Sequence, residues 1–452
     1  MQSRVLLSVL TLASMTWACS SEDPATGAEP GGVAAPSGGV NVPVEAPTFI
    51  GHVAPILKQG CSFQSCHGGG SGGFNIPDAG PTIVYASLVG QASRALTDMP
   101  LVDPGHPENS FLLAKVEGTQ GTLDARCIGG DCGGAMPEGS GLLPPESRQI
   151  LRDWIAAGAP FGAESDTTPP APEALTPLDL RVAMPVPDNT FIDFVTGETV
   201  IPPGEERMIC THVRFDGTED AAFAYAESKQ GQYGHHALLF GAKEPKPPGT
   251  VEDCTDAEDM ARFNAYTIGD QELPEGYAVH LPAGYPMVVQ SHHINANERP
   301  ILVRDVIRLK RIALDKVQTW ASVHITNGYG LQVPAQEQAQ LEFDCIVEKD
   351  VDLLMVGGHM HEWGTRFELL YGPDTEHLDS LYLASPWVPQ YRDLPPITLF
   401  FNNPMQLKAG HILRTKCAWN NDQDHELIFP SEMCSSFGFV GGTKEPVLCG
   451  VN

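Results

Sequence analysis

Basic residues are scarce in this chain: 27 Lys and Arg stand against 56 Asp and Glu, a formal charge of -29. That balance excludes nucleic acid and an anionic membrane face as partners. Long apolar runs are missing beyond the first residues, so no later stretch spans a bilayer. No internal repeat is visible in the sequence either, so each segment is read by itself.

What is present begins with MQSRVLLSVLTLASMTWAC. A basic start at Arg4, an apolar run from Val5 to Trp17 and a small residue before Cys19 make an export signal. It resembles a lipoprotein signal over residues 1–18, with Cys19 as the lipidated N-terminus after cleavage. The expected location is exported, on a bacterial membrane-anchored lipoprotein facing the periplasm or cell surface, the membrane contact being the lipid alone. Residues 19–45 are rich in Gly, Pro, Ala and Ser and too poor in large apolar groups to fold, which predicts a disordered tether. Eleven cysteines less Cys19 leave an even number in a compartment where disulfides persist.

A second low-complexity piece, residues 164–177, reads as a linker. Before it, residues 46–163 read as a small, mainly helical domain. Thr48 caps one helix, whose face carries Phe49, Ile50, Val53, Ile56 and Leu57; a second, opened by Pro145 and stopped by Gly158, carries Ile150, Leu151, Trp154 and Ile155. After the linker, short alternating runs such as QAQLEFDCIV, TRFELLY and GHILRTKCAW predict an all-β sandwich or jelly roll. The length suits two in tandem, 178–298 and 299–452, with the seam near Asn297 to Ile301.

The β region holds GHHALLF with His235 and His236, VVQSHHIN with His292 and His293, GGHMHEWG with His359 and His361, and SEMCSSF with Met433. Histidines at i and i+2 on a strand share a face, so His359 and His361 can serve one metal. Adjacent histidines point apart on a regular strand, so His235 and His236 can share an ion only at a strand end or bulge. Imidazole suits copper, zinc, iron or nickel, and a thioether tilts the choice toward Cu(I). His324, His411 and His425 read as surface or hydrogen-bonding histidines, and Glu362 as a solvated carboxylate facing away from its neighbours.

The order HHALLFG, VQSHH, HMHEWGTRF, then KCAW followed by SEMC resembles the copper type II, ascorbate-dependent monooxygenases, the family of peptidylglycine α-hydroxylating monooxygenase and dopamine β-monooxygenase. The resemblance covers about Leu178 to Asn452 and implies two tandem jelly-roll domains with two copper ions. His235, His236 and His292 would hold the electron-storing copper; His292 rather than His293 matches because Gln290-Ser291 precede it as the family's residue pair does. His359, His361 and Met433 would hold the copper that binds oxygen and carries the catalysis. The family's disulfides would fall at Cys210–Cys254, Cys345–Cys449 and Cys417–Cys434. An external reductant such as ascorbate, or an electron-transfer protein, would supply single electrons. The arginine and tyrosine with which peptide-hydroxylating members hold a substrate carboxylate are Gly357 and Phe437 here, and an asparagine between is Ser435. Peptide amidation is therefore not carried over, and an apolar or aromatic small molecule is expected instead.

In the first domain, CSFQSCHGG looks like a c-type haem attachment signal with two extra residues between its cysteines. With VAPIL before it and AMP after, the segment resembles small c-type cytochrome domains. The resemblance implies covalent haem on Cys61 and Cys66, His67 and Met136 as axial ligands, and Cys127–Cys132 as a disulfide. Two disulfides among the four cysteines is the other reading. Two function classes follow: an exported copper monooxygenase using O2 and a small organic substrate, and a non-catalytic copper- and haem-binding lipoprotein for electron transfer or metal storage.

Overall fold

The computed structural model describes residues 46–63, 66–68, 76, 80–138, 141–162, 176–254, 263–265, 272–297, 299–392, 394–423, 425–429 and 431–451. The signal, Cys19, the tether and residues 164–175 of the linker lie outside them. Residues 46–162 are mainly helical. Thr48 Oγ1 accepts the Gly51 N–H at 3.2 Å and starts the first helical stretch, which continues into helix Ala54–Cys61. Helix Pro145–Ala156 has proline in its first turn, and Gly158 beyond its end takes φ 89°. Phe49, Val53, Leu57, Leu151, Trp154 and Ile155 close one apolar core between them.

The rest is all β. Strands Glu206–Arg214, Gly234–Ala242 and Pro286–Ile294 form part of one sheet, order 251–253, 206–214, 286–294, 234–242, 263–265. Its inward residues Ala237, Leu239, Met287 and Val289 pack on Ile192, Phe194, Ile307 and Leu309 of a second sheet, which makes a sandwich. A later sandwich has strands Gln338–Ile346, Ile412–Asn420 and Gly364–Gly372 on one side and Val351–His359 and Ser435–Gly441 on the other. The two halves are not separate: strand Tyr277–Leu281 pairs parallel with Thr319–Gly328, so one ten-stranded sheet runs through both.

The seam expected near Asn297 to Ile301 is corrected by the pairing. Strand Ile301–Val303 is bonded to Thr199–Ile201, and Val306–Ile312 lies between Phe191–Val195 and Ala221–Lys229. Both attach to strands that precede the expected seam, and Ala321 and Val323 of strand Thr319–Gly328 still pack in the first sandwich's core. Cross-strand bonding, which leaves no local mark in sequence, decides where a β domain ends.

A repeat invisible in the sequence is present in the backbone. Glu206 pairs with Ile294 in the first half and Gln338 with Asn420 in the second, each at the same end of a nine-residue ladder. Past that end, the Asn295 amide Nδ2 reaches the carbonyls of Ile201, Pro202 and Arg299, and Asn421 Nδ2 reaches those of Val333, Pro334 and His425. Gly204 and Gln336, at matching turns, both have positive φ, 68° and 58°.

All four expected disulfides are formed: Cys127–Cys132, Cys210–Cys254, Cys345–Cys449 and Cys417–Cys434. They mark an oxidising, exported environment. Among the described residues no helix is long and apolar enough to cross a membrane.

Candidate metal centre

His235, His236 and His292 come together on the outer face of the first sandwich, with one ring nitrogen of each inside a 4.8 Å group. Their ring centroids are 5.0–5.3 Å apart. The backbone explains how adjacent histidines converge. His292 pairs with His236, but His293 pairs with Gly234, so His235 is the extra residue of a β-bulge. The bulge re-aims His235 toward the side its neighbour already faces. His235 Nδ1 and His236 Nδ1 are 3.0 Å apart. Two nitrogens on one tetrahedral ion with bonds of about 2.0 Å would be about 3.3 Å apart.

His292 supplies the clearest sign of a ligand. Its Nε2 lies 2.7 Å from Glu206 Oε1, while its Nδ1 is buried without a hydrogen-bond partner. A carboxylate on one ring nitrogen fixes the tautomer and leaves the other's lone pair for a metal. Burial, then the neighbouring imidazoles, hold His236 down at about 3, so it is neutral and ligand-ready at ordinary pH. His293 points the other way and forms a buried pair with Asp305 at 2.8 Å.

His359 ends its strand and His361 follows two residues on, with ring centroids 5.2 Å apart. A ring nitrogen of His359 is bonded to the Arg392 carbonyl, and His361 Nδ1 lies 2.9 Å from the Ser431 carbonyl. Burial, then the charges of His361 and Arg392, bring His359 to about 3. Ser435 is paired with His359 at the end of an antiparallel ladder, and Met433 stands two residues before Ser435, past that end. Glu432, fully buried, ties the two: its Oε1 accepts the His361 N–H at 2.5 Å and the Met433 N–H at 2.8 Å. Sequence reasoning missed Glu432, and its place between Ser431 and Met433 was the available signal. The Cys417–Cys434 disulfide adjoins it.

One expectation fails here. Glu362 is not solvated: its side chain is 6% exposed and faces Arg392 at 3.6 Å, because the residue after His361 has already left the strand and turns inward. His324 is of the hydrogen-bonding kind: it is 1% exposed, its Nε2 lies 3.5 Å from Ser436 Oγ, and burial holds it at about 4, since its strand lies between Ser435–Gly441 and Val447–Val451. His411 is half-buried against Tyr371, and His425 is exposed.

In the helical part, Cys61 and Cys66 stand outside the four disulfides, which take the other eight described cysteines. Burial, then the nearby Cys66, pushes the Cys61 thiol up to about 12. Phe63 and Cys66 pack on Ile294 and Ala296, just past the histidines of strand Pro286–Ile294. His67 is half-buried, and Met136 packs against the helical core that contains Cys61. Searched against protein-family models, the chain matches none.

Proposed function

We propose that this chain is an exported copper-dependent monooxygenase that hydroxylates a C–H bond of a small organic substrate with O2 and two single electrons. Its two sandwiches are read as tandem jelly rolls with one copper each, His235, His236 and His292 holding one ion and His359, His361 and Met433 the other. The observation that carries this reading is the asymmetry of the two sites. One offers three imidazoles, with His292 braced by a carboxylate; the other offers two imidazoles and a thioether, braced by carbonyls and Glu432. Copper, when bound, would supply one-electron chemistry and a place for O2 to be reduced. The chain's own part is to keep His236 and His359 neutral by desolvation and to orient the donors through second-sphere hydrogen bonds. Storage of metal has no need of two unlike sites.

Cys61 and Cys66, in none of the four disulfides and followed by His67, support covalent haem attachment, with His67 and Met136 as axial ligands. A haem there would make the helical part a built-in electron donor, in place of or beside ascorbate. An alkaline pyridine haemochrome of protein made with a cytochrome c maturation system tests this. A colourless domain with Cys61 and Cys66 in disulfides removes the haem and leaves the copper reading in place. That reading is tested by oxygen uptake of the copper-loaded protein with ascorbate and a panel of aromatic compounds. Reversible copper reduction with no turnover on any member would favour the non-catalytic electron-transfer or storage lipoprotein.

A further inference from the structure

We propose that Gln390 is a positioning residue for the second site: it fastens the loop that braces His359 and His361 to the helical part, so that the helical part sets the geometry of that site. The inference rests on the proposed function for the metal held there, while the coupling itself follows from hydrogen bonds. Residues 387–392 come after strand Asp379–Ala384 and end in the short helical turn Pro389–Arg392. Their inner side holds the histidine segment. Trp387 Nε1 donates to the His361 carbonyl at 3.0 Å, the Arg392 carbonyl accepts from a ring nitrogen of His359, and the Arg392 guanidinium faces Glu362 at 3.6 Å. Partners of this kind fix the tautomer and direction of an imidazole that binds metal.

The outer side of the same loop is bonded to the helical part. Gln390 Nε2 donates to the carbonyls of Ile128 and Asp131, and a Cβ at Gly129 would meet Val388 at 3.5 Å, ordinary contact. Both carbonyls are held in place by their own surroundings. The Cys127–Cys132 disulfide joins the ends of the segment, the Cys132 N–H donates to Asp124 Oδ1 at 3.0 Å, and the Ile128 N–H donates to the Ala95 carbonyl at 2.9 Å. Gln390 Oε1 is buried without a hydrogen-bond partner among the described residues, so this side chain works by donation alone. A second tie lies close by: Arg94 of the helical part pairs with Asp422 and stands 5.7 Å from the centre of the Trp363 ring, two residues after His361. The three-histidine site is braced separately, by Glu206 and by its own bulge.

Two variants of the full-length protein test the coupling. Gln390→Glu keeps the size but sets an acceptor against two carbonyls, and Gln390→Lys keeps a donor. In metal-free protein carrying isotopically labelled histidine, NMR of the ring nitrogens should show the His359 signals shifted in Gln390→Glu, those of His235, His236 and His292 in place, and the wild-type pattern kept in Gln390→Lys. Chelator competition with Cu(I) should show the ion that Met433→Ala loses held about 3- to 10-fold more weakly in Gln390→Glu, the worth of one neutral hydrogen bond relayed to a ligand, and the other ion unchanged. Unmoved His359 signals in folded Gln390→Glu would overturn the proposal, as would equal shifts at both histidine groups or a Gln390→Lys protein that behaves like Gln390→Glu. If the wild-type chain takes up a single Cu(I), the two-copper reading fails, and the His359 signals of the metal-free protein still decide the coupling.

Discussion

Replacing Glu432 should loosen the second site without touching a ligand. Its carboxyl accepts two backbone N–H groups, from His361 and Met433, in a place with no exposed surface. Glu432→Leu leaves both donors buried and unmade, at about 1–3 kcal/mol each, or about 2–6 kcal/mol together. Glu432→Gln keeps an acceptor oxygen for both and should cost under about 1 kcal/mol. Burial raises Glu432 from 4.5 to about 8, opposed by those two N–H groups and reinforced by Glu362. The folded state thus holds a proton that the unfolded state releases between those values. This contribution is complete below 4.5 and is lost as pH rises through about 8, and Glu432→Gln lacks it. Amide exchange of the segment containing His361 and Met433, read beside denaturation curves across that range, measures both effects. Equal protection in the Leu and Gln variants would refute the anchoring role, and a wild-type-minus-Gln difference that stays flat with pH would refute the buried-carboxyl argument.

Met433→Ala should leave the three-histidine site loaded, lower copper toward one ion per chain and abolish hydroxylation; full turnover would remove the catalytic assignment. Opening Cys417–Cys434, which closes a separation of 17 residues, should cost about 3 kcal/mol, and Cys345–Cys449, which closes 104, about 5 kcal/mol, by chain entropy. Denaturant midpoints of the paired serine variants measure these, and a reversed order would contradict the loop-length account. His236, His359 and His324 sit at about 3, 3 and 4, below the ordinary 6.5. The unfolded metal-free chain therefore binds more protons in that window, and stability is full above 6.5 and falls as pH drops toward 3. The Glu432→Gln background isolates this effect, and a denaturant midpoint unchanged from neutral pH to pH 4 in it would sink the argument.

The alternation of QAQLEFDCIV and the capped, proline-opened helices were legible because they are local patterns that packing then obeys. The histidine pairs and cysteines were legible as residue types. The seam was not, since Ile301–Val303 and Val306–Ile312 carry no mark of which sandwich they complete. The repeat was hidden because the equivalences, Ile201 with Val333 and Asn295 with Asn421, are not evenly spaced along the chain. Glu432 escaped notice because a carboxylate in sequence reads as solvated, and only tertiary burial turns it into an acceptor for two amides.

The bulge at His235 has a twin. Gly364 pairs with Trp419 and Arg366 with Ala418, so Thr365 is skipped as His235 is. Each half of the β region thus carries the same displaced backbone position, filled with imidazole in one and with a hydroxyl in the other. Where a side chain is aimed is decided by a register shift that belongs to the scaffold, and what it does there by the choice of residue. Thr365, Arg366 and Ala418 are accordingly the places to graft histidines if a third centre is wanted. Such a graft would separate what the bulge contributes to metal capture from what Glu206 and burial contribute.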